Sequence, residues 1–170
     1  MSLLAIDPGT HTMGVALFNR DKLETCFRLL APKAMIEVRI AELIAALDGM
    51  LRAHAKDHIT EVACEKATAL EGRAPAPELQ AFIRRLRQWT RALRPLASWS
   101  VYNPNTIVAS VRPRGMKGHT HKEILRSGVT MLYGRQYAEV DQNVIDAIAI
   151  GHCHLGHKAA DALGITKREE

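Results

Sequence analysis

Two runs of this chain, SLLAID at residues 2–7 and ITEVACE at residues 59–65, read as strands built for a dry interior, and each closes on an acid, Asp7 and Glu65. Asp7 breaks at once into Pro8-Gly9, and an alternating apolar stretch over residues 13–20 reads as its hairpin partner. Residues 22–30 give a third strand of the same meander, which Pro32 ends. Ile36, Ile40, Leu43, Ile44, Leu47 and Leu51 then recur at helical spacing over residues 34–54. After the strand at 59–65, Pro75 and Pro77 open a second helix that reaches Leu93 and is stopped by Pro95. A fifth strand is expected at 98–102, a short helix at 105–111, a Gly-containing basic loop at 112–119, a helix at 120–132, and a last helix from about Asp141 past His157. No repeat or linker interrupts the order, so residues 1–158 read as one domain and 159–170 as a tail.

Three strands in a meander, then helix, strand, helix and strand, predict an α/β chain with a five-stranded mixed sheet flanked by helices. A right-handed crossover lays the fourth strand parallel to the first and beside it. Asp7 and Glu65 then meet at one sheet edge, roughly 5 Å apart. Side by side they repel, and each resists ionising in a partly dry place. A divalent cation relieves both, and an oxygen-only donor set favours Mg²⁺ or Mn²⁺ over zinc. DQNVIDAIAI supplies a third acid, Asp146, in the first turns of the last helix, with Asn143 three residues earlier on the same face. Asp141 can approach as the N-cap. Taken singly, each has a plainer reading: a turn-forming Asp7, a surface Glu65, a capping Asp141 or Asn143. Brought to one edge by this topology, they read as a site.

The charge pattern points the same way. Lysine and arginine exceed aspartate and glutamate by 23 − 18 = 5, and residues 79–122 hold no acid at all. That stretch carries Arg84, Arg85, Arg87, Arg91, Arg94, Arg112, Arg114, Lys117 and Lys122. Such a surface repels itself unless a polyanion meets it, which favours nucleic acid over a merely solvated basic face. On the second helix Phe82, Leu86, Trp89 and Leu93 form a stripe for the sheet or for a second copy of the chain. Arg84, Arg87, Arg91 and Arg94 form another, suited to phosphates, and Arg112, Arg114 and Lys117 extend it. Lys122, after a flexible loop, is placed to offset charge on an attacked phosphate, or is an ordinary surface lysine. His119 and His121 beside it are proton-transfer candidates or solvated loop residues. Of His152-Cys153-His154 and His157, only His154 and His157 share a helical face, so a polar helix end is favoured over zinc. No apolar run reaches membrane-spanning length, and no export signal is expected at the N-terminus. Cys26, Cys64 and Cys153, odd in number and widely spaced, read as reduced thiols of a cytoplasmic protein.

In order along the chain, Asp7-Pro8-Gly9 with Gly14, strand-ending Glu65, the Tyr102-Asn103-Pro104 turn with its basic loop and Lys122, and Asp146-Ala147-Ile148-Ala149-Ile150 resemble the RuvC family of Holliday junction resolvases, within the ribonuclease H-like superfamily. The likeness spans residue 3 to about 154. It implies a homodimer that cuts four-way DNA junctions by paired symmetric nicks with Mg²⁺, and metal-binding roles for Asp7, Glu65 and Asp146. The expected reaction is in-line hydrolysis by water with two ions about 4 Å apart, leaving a 5′-phosphate. Asp7 would bridge the ions, Glu65 hold one and Asp146 the other. This sequence departs from the pattern at Asn143, where the family usually has Asp or His. Asparagine ligates through its carbonyl but cannot act as a base, so either Asn143 is a weaker ligand or Asp141 supplies the charge. The segment 66–70 holds no aromatic side chain, so a stacking wedge is not expected there. Rival readings are a RuvC-like nuclease acting on RNA or other branched nucleic acid, and a junction-binding protein with a degenerate site. Sugar kinases and actin-like ATPases share an Asp-x-Gly-Thr turn, but they need a second domain and a Gly-rich adenosine-binding segment that this sequence does not show.

Overall fold

The computed structural model describes residues 2–54, 59–67 and 76–165. The meander is β1 (Ser2–Asp7), β2 (Thr12–Asn19) and β3 (Lys22–Leu30), followed by α1 (Ile36–His54), β4 (Ile59–Glu65), α2 (Pro77–Leu93) and β5 (Ser98–Tyr102). Then come α3 (Pro104–Val111), α4 (His121–Tyr133), a 3-10 turn (Arg135–Tyr137) and α5 (Gln142–Ala162). The sheet order is β3-β2-β1-β4-β5, with β1–β2 and β2–β3 antiparallel and β1–β4 and β4–β5 parallel. The five-stranded mixed sheet flanked by helices expected from the sequence is the one observed. The 3-10 turn was not foreseen: it is too short for a period and follows Gly134, whose φ of 111° only glycine adopts easily. α5 runs through Ala162, so it enters the segment read as a tail. Pro75 and the stretch 68–70 lie outside the described residues; Pro77 does open α2.

Alternation along the strands divides the interior into two layers. Leu3, Ala5, Ala16, Phe18 and Ala63 face Ile107, Val129, Ile145 and Ile148 of α3, α4 and α5. Leu4, Ile6, Met13, Val15, Leu17 and Val62 face Leu43 and Leu47 of α1 and Phe82 and Leu86 of α2. β1, buried on both faces, is therefore an unbroken apolar run until Asp7. By the same alternation Asp7 follows Leu3 and Ala5 onto the α5 face.

Two glycines let α5 lie directly on that face. A methyl group at Gly14 of β2 would sit 1.8 Å from the Asn143 carbonyl oxygen, and one at Gly151 would sit 2.1 Å from the Phe18 ring. Burial of Ile145, Ile148 and Ile150 holds the helix down, each contributing about 2 kcal/mol.

Candidate active site

The parallel β1–β4 register ends at Ile6 opposite Cys64, so Asp7 and Glu65 occupy the next rung at the carboxyl ends of adjacent strands. β1 is also where the sheet order reverses, with β4 on one side and β2 on the other. Ligands of open α/β sheets bind at such a switch point. The chain leaves Asp7 through a tight turn in which the Gly9 N–H donates to the Asp7 carbonyl at 3.2 Å. Gly14 lies opposite Asp7 in β2 and touches the backbone of Asn143. That close approach brings the first turns of α5, with Asp146, over the strand ends.

The three acids feel one another. Burial raises the Asp7 carboxyl well above its ordinary range, and the charges of Asp146, Glu65 and Asp141 raise it further. Burial, then Asp146, pushes Glu65 up to about 7. Burial also raises Asp146, to about 6, although a hydrogen bond from Gln142 and the charges of Lys122 and Arg126 work against it. Among the described residues, no three His, Cys, Asp or Glu side chains already stand as a closed set of metal ligands. The acids thus share a field without sharing a ligand point. Their donor atoms are hard oxygens and their ionisation is resisted, which suits a small divalent cation such as Mg²⁺ or Mn²⁺. Cys64 is not a competing ligand: burial first, then Asp7 and Glu65, raise its thiol far from ionisation. All three cysteines are free thiols.

Behind Asp146 stands a relay. Gln142 Nε2 donates to Asp146 Oδ1 at 2.7 Å, and Arg126 Nη2 donates to Gln142 Oε1 at 3.0 Å. Arg126 Nη1 also donates to the carbonyls of Ala138 and Val140, at 2.7 and 2.8 Å. Asp141 has a different occupation. Its Oδ1 accepts from the backbone N–H and the Nδ2 of Asn143, at 3.0 and 2.8 Å, while Oδ2 takes Arg28 Nη1 at 2.9 Å. Burial opposes its ionisation, but these bonds and the Arg28 charge prevail and hold it below the usual carboxylate range. Arg28 pairs with Gly14, which pairs with Asp7, so the clamp belongs to the same row of the sheet. Gln142, Arg126 and Arg28 escaped the sequence reading. The one available signal was Gln142, four residues before Asp146 on the same helical face.

The expected cations lie on both sides of the sheet. Lys122, exposed at the start of α4, is close enough to lower Asp146. Arg112, Arg114 and Lys117 are exposed between α3 and α4, where Gly115 and Gly118 adopt φ of 87° and 81°. His119 stands 3.7 Å from Glu123. Arg84, Arg87 and Arg91 are exposed on α2, on the α1 side, whereas Arg94 folds back onto the Leu93 carbonyl at 2.9 Å. In α2 Phe82 and Leu86 are buried, Trp89 is partly so, and Leu93 is exposed. The histidines near the end of α5 take separate partners: His152 the Tyr133 hydroxyl at 3.0 Å, and His154 the Tyr102 hydroxyl at 2.9 Å and Glu61 at 2.6 Å.

No protein-family model matches this sequence. No curated protein matches it either. The sheet order, its mixed pairing and the flanking helices define a ribonuclease H-like fold of the RuvC type. Among solved structures the chain is similar to T. thermophilus RuvC in complex with Holliday junction substrate, at TM-score 0.72 and 16% identity over 98% of this chain and 99% of that one. A second Thermus thermophilus RuvC structure gives 0.71 and 18% over 98% and 99%. The fowlpox virus Holliday junction resolvase gives 0.51 and 17% over 96% and 99%. At these identities the likeness is one of fold, and it covers each chain nearly from end to end. No helix among the described residues is long and apolar enough to cross a membrane.

Proposed function

We propose that this protein is a divalent-metal-dependent endonuclease that resolves four-way DNA junctions by paired symmetric nicks, leaving 5′-phosphates, and that it works as a homodimer in the cytoplasm. One observation carries the reading. Acids from β1, β4 and α5 gather at the switch point, where Asp146 and Glu65 raise Asp7 and Asp146 raises Glu65, in a fold whose solved counterpart is in complex with Holliday junction substrate.

Asp7 lies between the other two acids electrostatically, and it is the ligand suited to serve both of two ions. Glu65 would hold one and Asp146 the other. Bound there, Mg²⁺ or Mn²⁺ supplies charge neutralisation at the phosphate and a more acidic water. Gln142 and Arg126 keep Asp146 Oδ1 aimed. Lys122 offers its ammonium to the charge that builds on the attacked phosphate. Asn143 spends its amide on Asp141 and keeps its carbonyl oxygen uncommitted among the described residues, so it serves as an auxiliary ligand while Asp141 caps the helix. Arg112, Arg114 and Lys117 on one side and Arg84, Arg87 and Arg91 on the other hold backbone phosphates, while Arg94 is committed to the Leu93 carbonyl. Paired nicks need two such sites, which is the reason for the dimer.

A second reading, binding without cutting, is favoured by Asn143 and by acids that do not yet form a closed ligand set. The test is incubation with Mg²⁺ and a four-way junction, duplex DNA or RNA of equal length, beside Asp7→Asn. Symmetric nicking of the junction, reduced at least about 1,000-fold in the variant with binding retained, supports the resolvase. Binding alone would establish the degenerate reading, and preferential cutting of RNA would replace the substrate.

A further inference from the structure

The turn that carries the chain away from Asp7 runs against the start of α1, where two clefts meet at one guanidinium. A cleft of about 340 Å³ lies between Arg39, Pro8, Gly9, Thr10 and Glu78. Another, of about 680 Å³, is lined by the same Arg39 with His11, Pro32 and Lys33. We propose that Arg39, His11 and Lys33 form a phosphate-binding station for the nucleic-acid backbone, on the side of the Asp7 turn opposite Lys122. This rests on the nucleic-acid reading of the site, and it adds three residues that the basic stripe does not contain.

The chemistry of the three residues supports it. Arg39 Nε is buried and has no hydrogen-bond partner among the described residues. One terminal nitrogen of the same guanidinium touches the His11 ring. A guanidinium has five donors and no acceptor, and a neutral imidazole offers a single accepting nitrogen. One imidazole acceptor leaves most of the Arg39 donors unmet, and among the described residues neither Arg39 nor His11 nor Lys33 is paired with a carboxylate. Glu78 lines the smaller cleft without bonding Arg39. The arrangement is fixed by the backbone, because the Ala31 N–H donates to the His11 carbonyl at 2.9 Å. That bond ties the β1–β2 turn to the segment between β3 and α1, so cations distant in sequence are delivered together. A planar fork, an imidazole and an ammonium around open space match a phosphodiester.

Position gives the station its use. Lys122 acts on Asp146 from the α4 side, whereas Arg39, at the start of α1, shares a cleft with Pro8 and Gly9 beside Asp7 and joins Lys33 in the neighbouring one. A strand crossing the edge is then held both before and after the phosphate that lies over Asp7. The sequence could not show this, since His11, Lys33 and Arg39 are scattered among neutral and acidic neighbours.

The test compares the full chain with Arg39→Gln, Arg39→Lys and Lys33→Gln, each first checked for an unchanged melting temperature. Four-way-junction binding is measured without divalent ion from 50 to 300 mM salt, where log K falls by about 0.9 per phosphate contact for each tenfold rise in salt. The expected result is a slope shallower by about 1 and affinity about 10-fold weaker at 0.1 M salt for Arg39→Gln, with Arg39→Lys between it and the parent. An unchanged slope and affinity in Arg39→Gln and Lys33→Gln would overturn the station even if the parent protein cuts junctions normally. An Arg39-dependent slope in a protein that never cuts would keep the station and remove the nuclease. Competition at matched ionic strength with inorganic phosphate separates the sources. Arg39-dependent stabilisation by phosphate alone, with junction binding untouched, would make it a free-anion site and also overturn the proposal.

Discussion

Glu61 and Glu65 stand four residues apart on the same face of β4, and their surroundings treat them in opposite ways. Glu61 is 8% exposed, and burial alone would raise it. Lys158 Nζ and His154 Nε2 each donate to it at 2.6 Å and hold it below its ordinary range. His154 is fixed in turn by the Tyr102 hydroxyl, and Tyr102 stacks on His157 with ring centroids 5.2 Å apart. Glu65 has no such partner among the described residues, and burial raises it to about 7. One helix, α5, serves both places: it brings cations and donors to Glu61 and a further acid to Glu65. Where this fold needs a quiet carboxylate, it provides the counter-charge itself. At Asp7 and Glu65 it provides none among the described residues, and at Asp146 the charges of Lys122 and Arg126 offset burial only in part.

The sharpest way to break this contrast is to remove each glutamate. Glu61→Ala takes the carboxylate away from the buried His154 Nε2 and should cost about 3 kcal/mol or more in denaturant unfolding. Glu65→Gln should instead raise the ion-free stability at pH 8, because it deletes a charge the native state resists. Equal destabilisation by both would erase the distinction.

A smaller effect sharpens it through pH. Glu65 binds its proton more tightly folded than unfolded, so its contribution declines as pH rises from about 4.5 toward 7 and is level above that. Glu61 has the reverse sign: its contribution is full above about 4.5 and fades as pH falls through its lowered native value. Mg²⁺ at 100 times its dissociation constant should therefore add about 2.7 kcal/mol at pH 8 and far less at pH 5, read as a shift in melting temperature. An equal gain at both pH values would mean that these carboxylates do not hold the ion. The smallest expected effect is that of Gln142→Ala, about 10-fold weaker Mn²⁺ binding by calorimetry with melting nearly unchanged.

Much of this was legible in the sequence, and for identifiable reasons. Strand alternation and the crossover rule placed Asp7 beside Glu65, because both depend on local pattern and chain handedness alone. Asp146 was legible from the apolar run that seats its helix. Arg126, by contrast, spends its bonds on two backbone carbonyls and a glutamine, and no side-chain pattern announces such targets. Arg28 reaches Asp141 across 113 positions. Arg94 belongs to the stripe by spacing, yet the end of α2 turns it back on its own backbone. The segment 68–70 lies outside the described residues, so the expected lack of a stacking wedge there has no structural counterpart.

Gly14 has a consequence for how the protein comes to be armed. The notch it leaves in β2 is filled by the opening turn of α5, and that contact helps bring Asp146 over residues laid down far earlier. A sheet fully formed but lacking its final helix would carry two acids and no third. The third acid therefore joins the edge only once that helix docks, and leaves it when the helix lifts.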